Sequence, residues 1–221
     1  MSHVSPPSPL SPWDLAPVVP VVIVDDVEMA VPLARALVAG GLPAVEVTLR
    51  TEAALGAIER IAAEVEGAYV GAGTILTPDQ AKAAADAGAN FLVTPGCTDA
   101  LYSALADTGL PFLPGTSTVS EVLRLREHGV REMKFFPAEA SGGAPYLKAL
   151  ASPVPDVRFC PTGGITPDSA PAYLALPNVA CVGGSWMLPA SAVAAGDWAR
   201  IEALARTASR LRDKTAGGTP A

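Results

Sequence analysis

Lys134 is the residue of this chain whose position could support covalent chemistry. It is one of only four lysines, and it lies in segment 132–137 (EMKFFP), whose composition is typical of a buried strand. Burial disfavours the ammonium form of a lysine, and a neutral amine is a nucleophile toward carbonyl groups, as in Schiff-base formation. The alternative is that its aliphatic stem packs in the core while the ammonium group reaches solvent.

Two more charged residues accompany a second apolar segment. Glu46 interrupts the stretch 45–49 (VEVTL), and Arg50 follows it directly. A carboxylate can carry protons to and from a reacting substrate. Arginine can bind a substrate carboxylate through two parallel hydrogen bonds. If Glu46 and Arg50 lie near Lys134, the three together could bind a keto acid and form an iminium with it.

The elements that would bring these residues together recur at a regular spacing. Helix-patterned stretches separate the apolar runs, and two helices have a threonine cap followed by proline, at Thr77-Pro78 and Thr166-Pro167. The runs are almost continuously apolar, which is typical of a parallel sheet covered on both faces. Eight strand-and-helix units predict a single (β/α)8 barrel, with a doubly wound open sheet as the alternative. The strand-like runs begin near Val18, Ala44, Tyr69, Phe91, Pro111, Glu132, Arg158 and Val179.

The chain ends differ in composition from the rest. We predict a mobile Ser/Pro-rich tail over residues 1–14, a barrel over residues 15–212 and a second mobile tail over residues 213–221. Trp13 and Leu15 suggest a short helix that closes one end of the barrel. The barrel would then be close to the lower size limit of this fold.

Polar residues and glycines collect where the predicted strands end. In a barrel of this kind, functional groups project from those ends and from the loops that follow. Gly163-Gly164 and Gly183-Gly184-Ser185 close the last two strands, where backbone amides and a helix N-terminus often bind phosphate. The alternative is that these glycines only form tight turns. With Lys134, Glu46 and Arg50, a phosphate site predicts a class I aldolase acting on a phosphorylated 2-keto acid.

Composition excludes several other classes of protein. The net charge is −7, so the chain lacks the basic surface that nucleic acid or an anionic membrane would require. Its apolar runs are too short to span a bilayer and its N-terminus lacks a targeting pattern, which predicts a soluble cytoplasmic protein. Two histidines, and three cysteines without CxxC spacing, do not provide a metal site or a disulfide framework.

Six motifs give the chain a close resemblance to a bacterial family. Over about residues 18–211 the sequence resembles the 2-keto-3-deoxy-6-phosphogluconate (KDPG) aldolases, a family that also includes 4-hydroxy-2-ketoglutarate (KHG) aldolases. The loop after Gly96 and the proline-rich N-terminal extension depart from the family pattern. The motifs are EVTLRT (46–51), VGAGT (70–74), PGTST (114–118), KFFPAE (134–139), FCPTGGI (159–165) and GGSW (183–186).

The resemblance implies roles for several of the motif residues. Lys134 would form the Schiff base, Glu46 would act as the acid and base, and Arg50 and Thr74 would bind the substrate carboxylate. It also implies reversible cleavage of KDPG to pyruvate and glyceraldehyde 3-phosphate in the Entner–Doudoroff pathway, by a homotrimeric barrel without metal or cofactor. The remaining implied residues are Pro95, Phe136 and Thr162 in the pocket, and Gly163, Gly164, Gly184 and Ser185 at the phosphate.

Three other functions stay open at this level. A zinc-dependent aldolase would stabilise an enolate by Lewis-acid catalysis, but two histidines, one of them in a predicted tail, argue against it. A sibling enzyme would prefer 4-hydroxy-2-ketoglutarate or 2-keto-3-deoxy-6-phosphogalactonate. A noncatalytic phosphosugar-binding barrel would use Lys134, Glu46 and Arg50 only as an ion-pair network.

Overall fold

The computed structural model of the chain describes residues 11–212, in which strands and helices alternate. Residues 1–10 of the predicted N-terminal tail and all of the predicted C-terminal tail, residues 213–221, lie outside the described residues. The strands are β1 (Val18–Val22), β2 (Ala44–Thr48), β3 (Tyr69–Gly73), β4 (Phe91–Val93), β5 (Phe112–Leu113), β6 (Gly115–Thr116), β7 (Glu132–Phe135), β8 (Arg158–Pro161) and β9 (Val182–Gly184). The helices are α1 (Ala30–Ala39), α2 (Ala54–Glu64), α3 (Pro78–Asp86), α4 (Asp99–Asp107), α5 (Val119–Glu127), α6 (Gly143–Leu150), α7 (Ala170–Leu174), α8 (Ala190–Ala194) and α9 (Trp198–Ser209).

The strands form two parallel sheets. Six of them follow the order β5-β4-β3-β2-β1-β9, and three follow the order β6-β7-β8. Two isolated parallel bridges, Phe159 with Val179 and Thr162 with Gly183, connect the β8 segment to the β9 segment. The larger sheet curls into a half-barrel with helices around it. The predicted parallel α/β architecture is therefore confirmed.

The fifth predicted strand is interrupted. Pro114 separates β5 from β6, and β5 pairs with β4 while β6 pairs with β7. Proline has no amide hydrogen to donate to a neighbouring strand, so the segment changes its pairing partner there. The eighth predicted strand also begins later, at Val182, because Val179 contributes only an isolated bridge.

Two hydrophobic clusters explain why the strands are apolar on both faces. The larger lies between the strands and the surrounding helices, where Val18 and Val22 of β1 pack with residues such as Leu37 and Ile58. The smaller occupies the concave face and includes Val19 of β1. Successive side chains of a strand point to opposite faces, so a strand between two clusters must be apolar throughout.

The helices begin at capping residues in several places. Thr77 and Thr98 accept a hydrogen bond from the first turn of α3 and α4, and Thr118 forms a capping box with Glu121. The predicted start at Thr166 is too early. Thr166 and Ser169 accept hydrogen bonds from each other's backbone amides in a turn, and α7 begins after this turn, at Ala170, and spans only five residues. Within residues 11–212, every helix is too short or too polar to span a membrane.

The N-terminal end of the sheet is closed by a short 3-10 helix, Pro12–Asp14. Trp13 is 1 % exposed and packs edge-on against Phe91 in the concave cluster, with ring centroids 5.0 Å apart. Asp14 forms an ion pair with Arg158 that holds the pKa of its carboxyl group below the usual value. The predicted tail boundary at residue 14 is therefore too late, since residues 11–14 pack on the sheet. Leu15 lies partly exposed beyond the helix.

Replacing Trp13 should test this closure. We expect Trp13→Ala to lower the free energy of unfolding by about 3–5 kcal/mol, because it leaves a cavity under the sheet. Leu15→Ala is the matched control and should change it by less than about 0.5 kcal/mol, because Leu15 is partly exposed. Urea unfolding of both variants measures the difference, and equal losses would contradict the assigned packing.

Candidate active site

A buried ion pair lies at the centre of the site. Lys134 is on β7 and Glu46 is on β2, and Lys134 Nζ donates a hydrogen bond to Glu46 Oε1 at 3.2 Å. The two residues are 5 % and 3 % exposed. Two charges in such a position stabilise each other against the loss of hydration, and either one alone would be an uncompensated buried charge. The fold thus brings together the predicted nucleophile and the predicted proton carrier.

The backbone around Lys134 is fixed from the β6 side. Lys134 N donates to the Pro114 carbonyl at 3.0 Å. The buried Thr116 hydroxyl donates to the Lys134 carbonyl at 3.1 Å. The Phe136 ring lies beneath the amine, with Nζ 5.5 Å from the ring centroid, a distance at which an ammonium group is attracted to the ring face. The amine is therefore held between a carboxylate and an aromatic ring.

A second pair of predicted site residues meets at the rim. Arg50 follows β2 and is exposed, and its Nε donates to Thr74 Oγ1 at 3.2 Å. Thr74 has a φ of +57°, the one left-handed non-glycine residue among residues 11–212. A branched residue rarely adopts this conformation, and such strain is concentrated at functional sites. Because Arg50 uses only Nε in this hydrogen bond, its other guanidinium N–H groups are available for a ligand.

The three predicted pocket residues lie on neighbouring strand ends. Pro95 follows β4 and is half-buried. Its backbone approaches β6 closely, because a side chain at Gly115 would place Cβ 2.2 Å from the Pro95 carbonyl carbon. Thr162 is buried after β8, and its hydroxyl covers Gly183, where a Cβ would lie only 2.2 Å from Oγ1. Phe136 lies between Lys134 and the Gly163 loop.

Gly115 had no predicted role, and Gly183 was predicted only as part of the strand end near the phosphate. Both lie in ordinary strand conformations, so the backbone does not require glycine there. Each makes room for a neighbouring strand end, at Pro95 and at Thr162 respectively. A glycine inside a strand is a known sign of close backbone approach. The sequence shows both glycines, but it does not show which neighbouring residue each of them makes room for.

The predicted phosphate residues lie in two adjacent loops. Gly163 and Gly164 have φ values of +104° and +80°, so their left-handed backbone requires glycine. The bridge between Thr162 and Gly183 brings this loop beside Gly184 and Ser185 at the end of β9. Five residues separate Gly164 from α7, and four separate Ser185 from α8. The expected helix N-terminus is therefore absent from these loops in the described chain.

Glu139 supports the Gly163–Gly164 loop from below. Its backbone amide donates to the Gly163 carbonyl at 3.1 Å, and its side chain packs where a Cβ of Gly164 would be, 2.8 Å from Cγ. The Tyr173 hydroxyl donates to Glu139 Oε1 at 2.8 Å. Burial and this carboxylate raise the pKa of Tyr173 above its usual value, so the phenol keeps its proton and the bond persists.

A cleft of about 550 Å³ opens beside β1. Ser185 lines it together with Ile23, Asp25 and Asp26. Its lining residues include no lysine or arginine, so its charge disfavours an anion within the cleft. A phosphate at Ser185 would therefore approach from the Gly163 side. A more open cleft of about 680 Å³ lies at the opposite end of the strands, near Glu132 and Arg158, away from Lys134.

The cysteine thiols do not compete with Lys134 as nucleophiles. Burial raises the pKa of Cys97 to about 11. A hydrogen bond with Cys160 and burial raise the pKa of Cys181 well above its ordinary value. A protonated thiol is a poor nucleophile. Across residues 11–212, His, Cys, Asp and Glu side chains do not form a cluster of three that could hold a metal ion.

A family model and several known proteins match this chain. The model of the "KDPG and KHG aldolase" family matches residues 11–204. The chain is 54 % identical over 192 residues to the KHG/KDPG aldolase of Escherichia coli K12, covering 87 % of this chain and 90 % of that protein.

Two solved structures share the fold closely. The first is a KDPG aldolase from Legionella pneumophila, which holds pyruvate captured at low pH as a covalent carbinolamine intermediate. It is 43 % identical to this chain with a TM-score of 0.87, and the match covers 90 % of this chain and 96 % of that one. A KDPG aldolase from Zymomonas mobilis with 3-phosphoglycerate is 48 % identical with a TM-score of 0.85, over 90 % and 94 % of the two chains. With a family match over most of its length and relatives above 50 % identity, the chain belongs to the KDPG and KHG aldolase family.

Proposed function

We propose that this protein is a class I aldolase that cleaves KDPG reversibly to pyruvate and glyceraldehyde 3-phosphate, as the aldol step of the Entner–Doudoroff pathway. The observation that carries the proposal is the buried contact of Lys134 Nζ with Glu46 Oε1 at 3.2 Å. It unites a nucleophilic amine with a carboxylate that can exchange protons with it. The pyruvate carbinolamine in the Legionella pneumophila relative supports the same chemistry.

The first half of the reaction makes the imine. Lys134 gives a proton to Glu46, and its nitrogen adds to C2 of the keto acid to form a carbinolamine. Glu46 then returns a proton to the carbinolamine oxygen, which leaves as water when the iminium forms. The low exposure of both groups strengthens their electrostatic interaction and excludes competing solvent.

The second half breaks the carbon–carbon bond. Removal of the C4 hydroxyl proton lets the C3–C4 electron pair move into the iminium, which releases glyceraldehyde 3-phosphate and leaves an enamine on Lys134. Protonation of C3 restores the iminium, and water hydrolyses it to pyruvate and the free amine. Glu46 is the group within reach of Lys134 that can carry these protons.

The two ends of the substrate would be bound by separate groups. The Arg50 guanidinium, oriented by Thr74, would bind the C1 carboxylate. Backbone amides of Gly163, Gly164 and Gly184, with the Ser185 hydroxyl, would bind the phosphate. Gly163 and Gly164 have positive φ values, and successive backbone amides in such a turn can form a nest that attracts anions without a helix N-terminus.

Two alternatives remain as candidate functions. A preference for 4-hydroxy-2-ketoglutarate or 2-keto-3-deoxy-6-phosphogalactonate would use the same imine, and the two glycine loops favour the phosphorylated substrates. A noncatalytic phosphosugar-binding barrel would need Lys134 only as a cation. The burial of Lys134 favours the covalent role, because an exposed lysine would bind phosphate with less loss of hydration.

The architecture that we propose for the enzyme is a closed (β/α)8 barrel over residues 15–212. Two features support closure: β5 and β6 are parts of one segment interrupted at Pro114, and isolated bridges link the β8 and β9 segments. The Ser11–Asp14 segment packs on its N-terminal end. The proposal also includes a cytoplasmic location and a homotrimer, of which the homotrimer rests on the family resemblance.

Trapping of the imine tests the proposed function. With pyruvate and borohydride, we expect the protein to gain one reduced pyruvyl group on Lys134, located by peptide mass spectrometry. Lys134→Ala should gain none and should lose more than about a thousandfold in kcat, because the nucleophile is gone. Lys148→Ala, on the exposed face of α6, is the matched control and should behave as the wild type. An unmodified Lys134 would contradict the Schiff-base mechanism.

Substrate comparison tests the phosphate assignment. We expect kcat/KM to be higher for KDPG than for 4-hydroxy-2-ketoglutarate. Ser185→Ala should lower it about tenfold for KDPG alone, because a hydrogen bond to a charged group is lost. Ser103→Ala, on exposed α4, should change neither value. Equal kcat/KM for the two substrates in the wild type would refute the preference for a phosphorylated substrate.

The homotrimer can be tested by light scattering after size exclusion. We expect a molar mass three times that of the chain, unchanged over a wide range of protein concentration, as in an obligate assembly. The mass of a monomer or a dimer under these conditions would remove this part of the proposal.

A further inference from the structure

The C-terminal end of β3 reverses the usual roles of glycine and threonine. The left-handed φ falls on Thr74, whereas Gly73 has an ordinary strand backbone that any residue could adopt. A glycine at the end of a strand is normally explained by a turn that needs a positive φ. That explanation does not apply to Gly73, so the reason for the missing side chain has to be found in the space around it.

That space is occupied by Glu46. A Cβ added to Gly73 would lie 2.1 Å from Glu46 Oε1, 2.6 Å from Cγ and 2.7 Å from Cδ. In the register of β2 and β3, Gly73 is opposite Thr48, and Glu46 is opposite Gly71. The Glu46 side chain therefore extends forward along the strand direction and covers Gly73. Strand side chains commonly lean in this way.

The Glu46 carboxylate cannot move away from an added Cβ without losing its hydrogen bond to Lys134. Oε1, the atom nearest to the added Cβ, is also the atom that accepts the hydrogen bond from Lys134 Nζ. Glu46 is 3 % exposed, so the packed interior leaves little room for another rotamer. A methyl group at position 73 would therefore displace the carboxylate from the amine or strain the ends of both strands.

We infer that Gly73 is a positioning residue for Glu46, since its missing side chain provides the room in which the carboxylate contacts Lys134. Gly73 acts through Glu46 and has no assigned contact with substrate. The catalytic consequence rests on the proposed function, in which Glu46 carries protons for Lys134. The steric coupling between Gly73 and Glu46 does not depend on it.

Another glycine of β3 provides a matched control. Gly71 also has an ordinary strand backbone, and a Cβ there would lie 2.2 Å from the Phe91 ring. The three atoms nearest to that Cβ all belong to the Phe91 ring, whereas the three nearest to a Cβ of Gly73 all belong to Glu46. Gly71→Ala should therefore destabilise the protein to the same extent whether or not the Glu46 side chain is present.

The test is a set of double-mutant cycles that combine Gly73→Ala or Gly71→Ala with Glu46→Ala. Gly73→Ala should lower Tm in the wild type but not in Glu46→Ala, where the colliding Cγ, Cδ and Oε1 are absent. Its kcat should fall about 10²- to 10⁴-fold, the range for a lost proton-transfer group. Added to Glu46→Ala, it should change kcat by no more than about twofold, because the group it displaces is already gone.

Two results would overturn the inference. One is Gly73→Ala with kcat within about twofold of the wild type, which is the additivity limit of independent sites. The other is an equal loss of Tm from Gly73→Ala in both backgrounds, as expected for Gly71→Ala.

Failure of the proposed function would look different: the wild type would form no borohydride-trapped adduct on Lys134, while the Tm cycle would still report the steric coupling. A Gly73→Ala protein too unstable to purify, with a folded double variant, would support the inference.

Discussion

The removal of two opposite charges from water is the constraint on which the rest of this structure depends. Lys134 and Glu46 are 88 residues apart in the chain and almost fully buried, so each stabilises the other only while their geometry is kept. The strands next to β7 and β2 keep that geometry. Thr116 fixes the backbone of Lys134, and the absence of a side chain at Gly73 leaves the space for Glu46.

In the proposed function, the two ends of the substrate would be bound by different kinds of structure. At the carboxylate end, Arg50 and a strained Thr74 form a specific hydrogen bond at the rim. At the proposed phosphate end, left-handed Gly163 and Gly164 would provide backbone amides, and Glu139 supports their loop from below. Helices α7 and α8 are short and begin several residues beyond the glycine loops. Phosphate affinity would therefore depend on loop amides and a hydroxyl, whereas the chemistry depends on the buried strands.

Much of the fold and the centre of the site could be predicted from the sequence. Alternation of apolar runs and helical patterns is a local property, and it indicated parallel strands with intervening helices. A lysine in an apolar strand and an acid among β-branched residues are likewise visible locally, because burying a charge is unfavourable without a partner. For Lys134 and Glu46 the unfavourable position itself was the signal. Family motifs then connected these residues to aldolase chemistry.

The remaining features were decided by contacts between distant segments, which have no local signature. A short closing helix was predicted around Trp13, but only the curled sheet shows that its ring packs against Phe91 in the concave cluster. One strand was predicted to begin near Pro111, and only the positions of β4 and β7 show that two short strands lie on either side of Pro114. Sequence alone determined which residues are chemically unusual and which elements bear them. Tertiary structure decided that Gly73 must be glycine, because the atom it would strike belongs to a residue of the neighbouring strand.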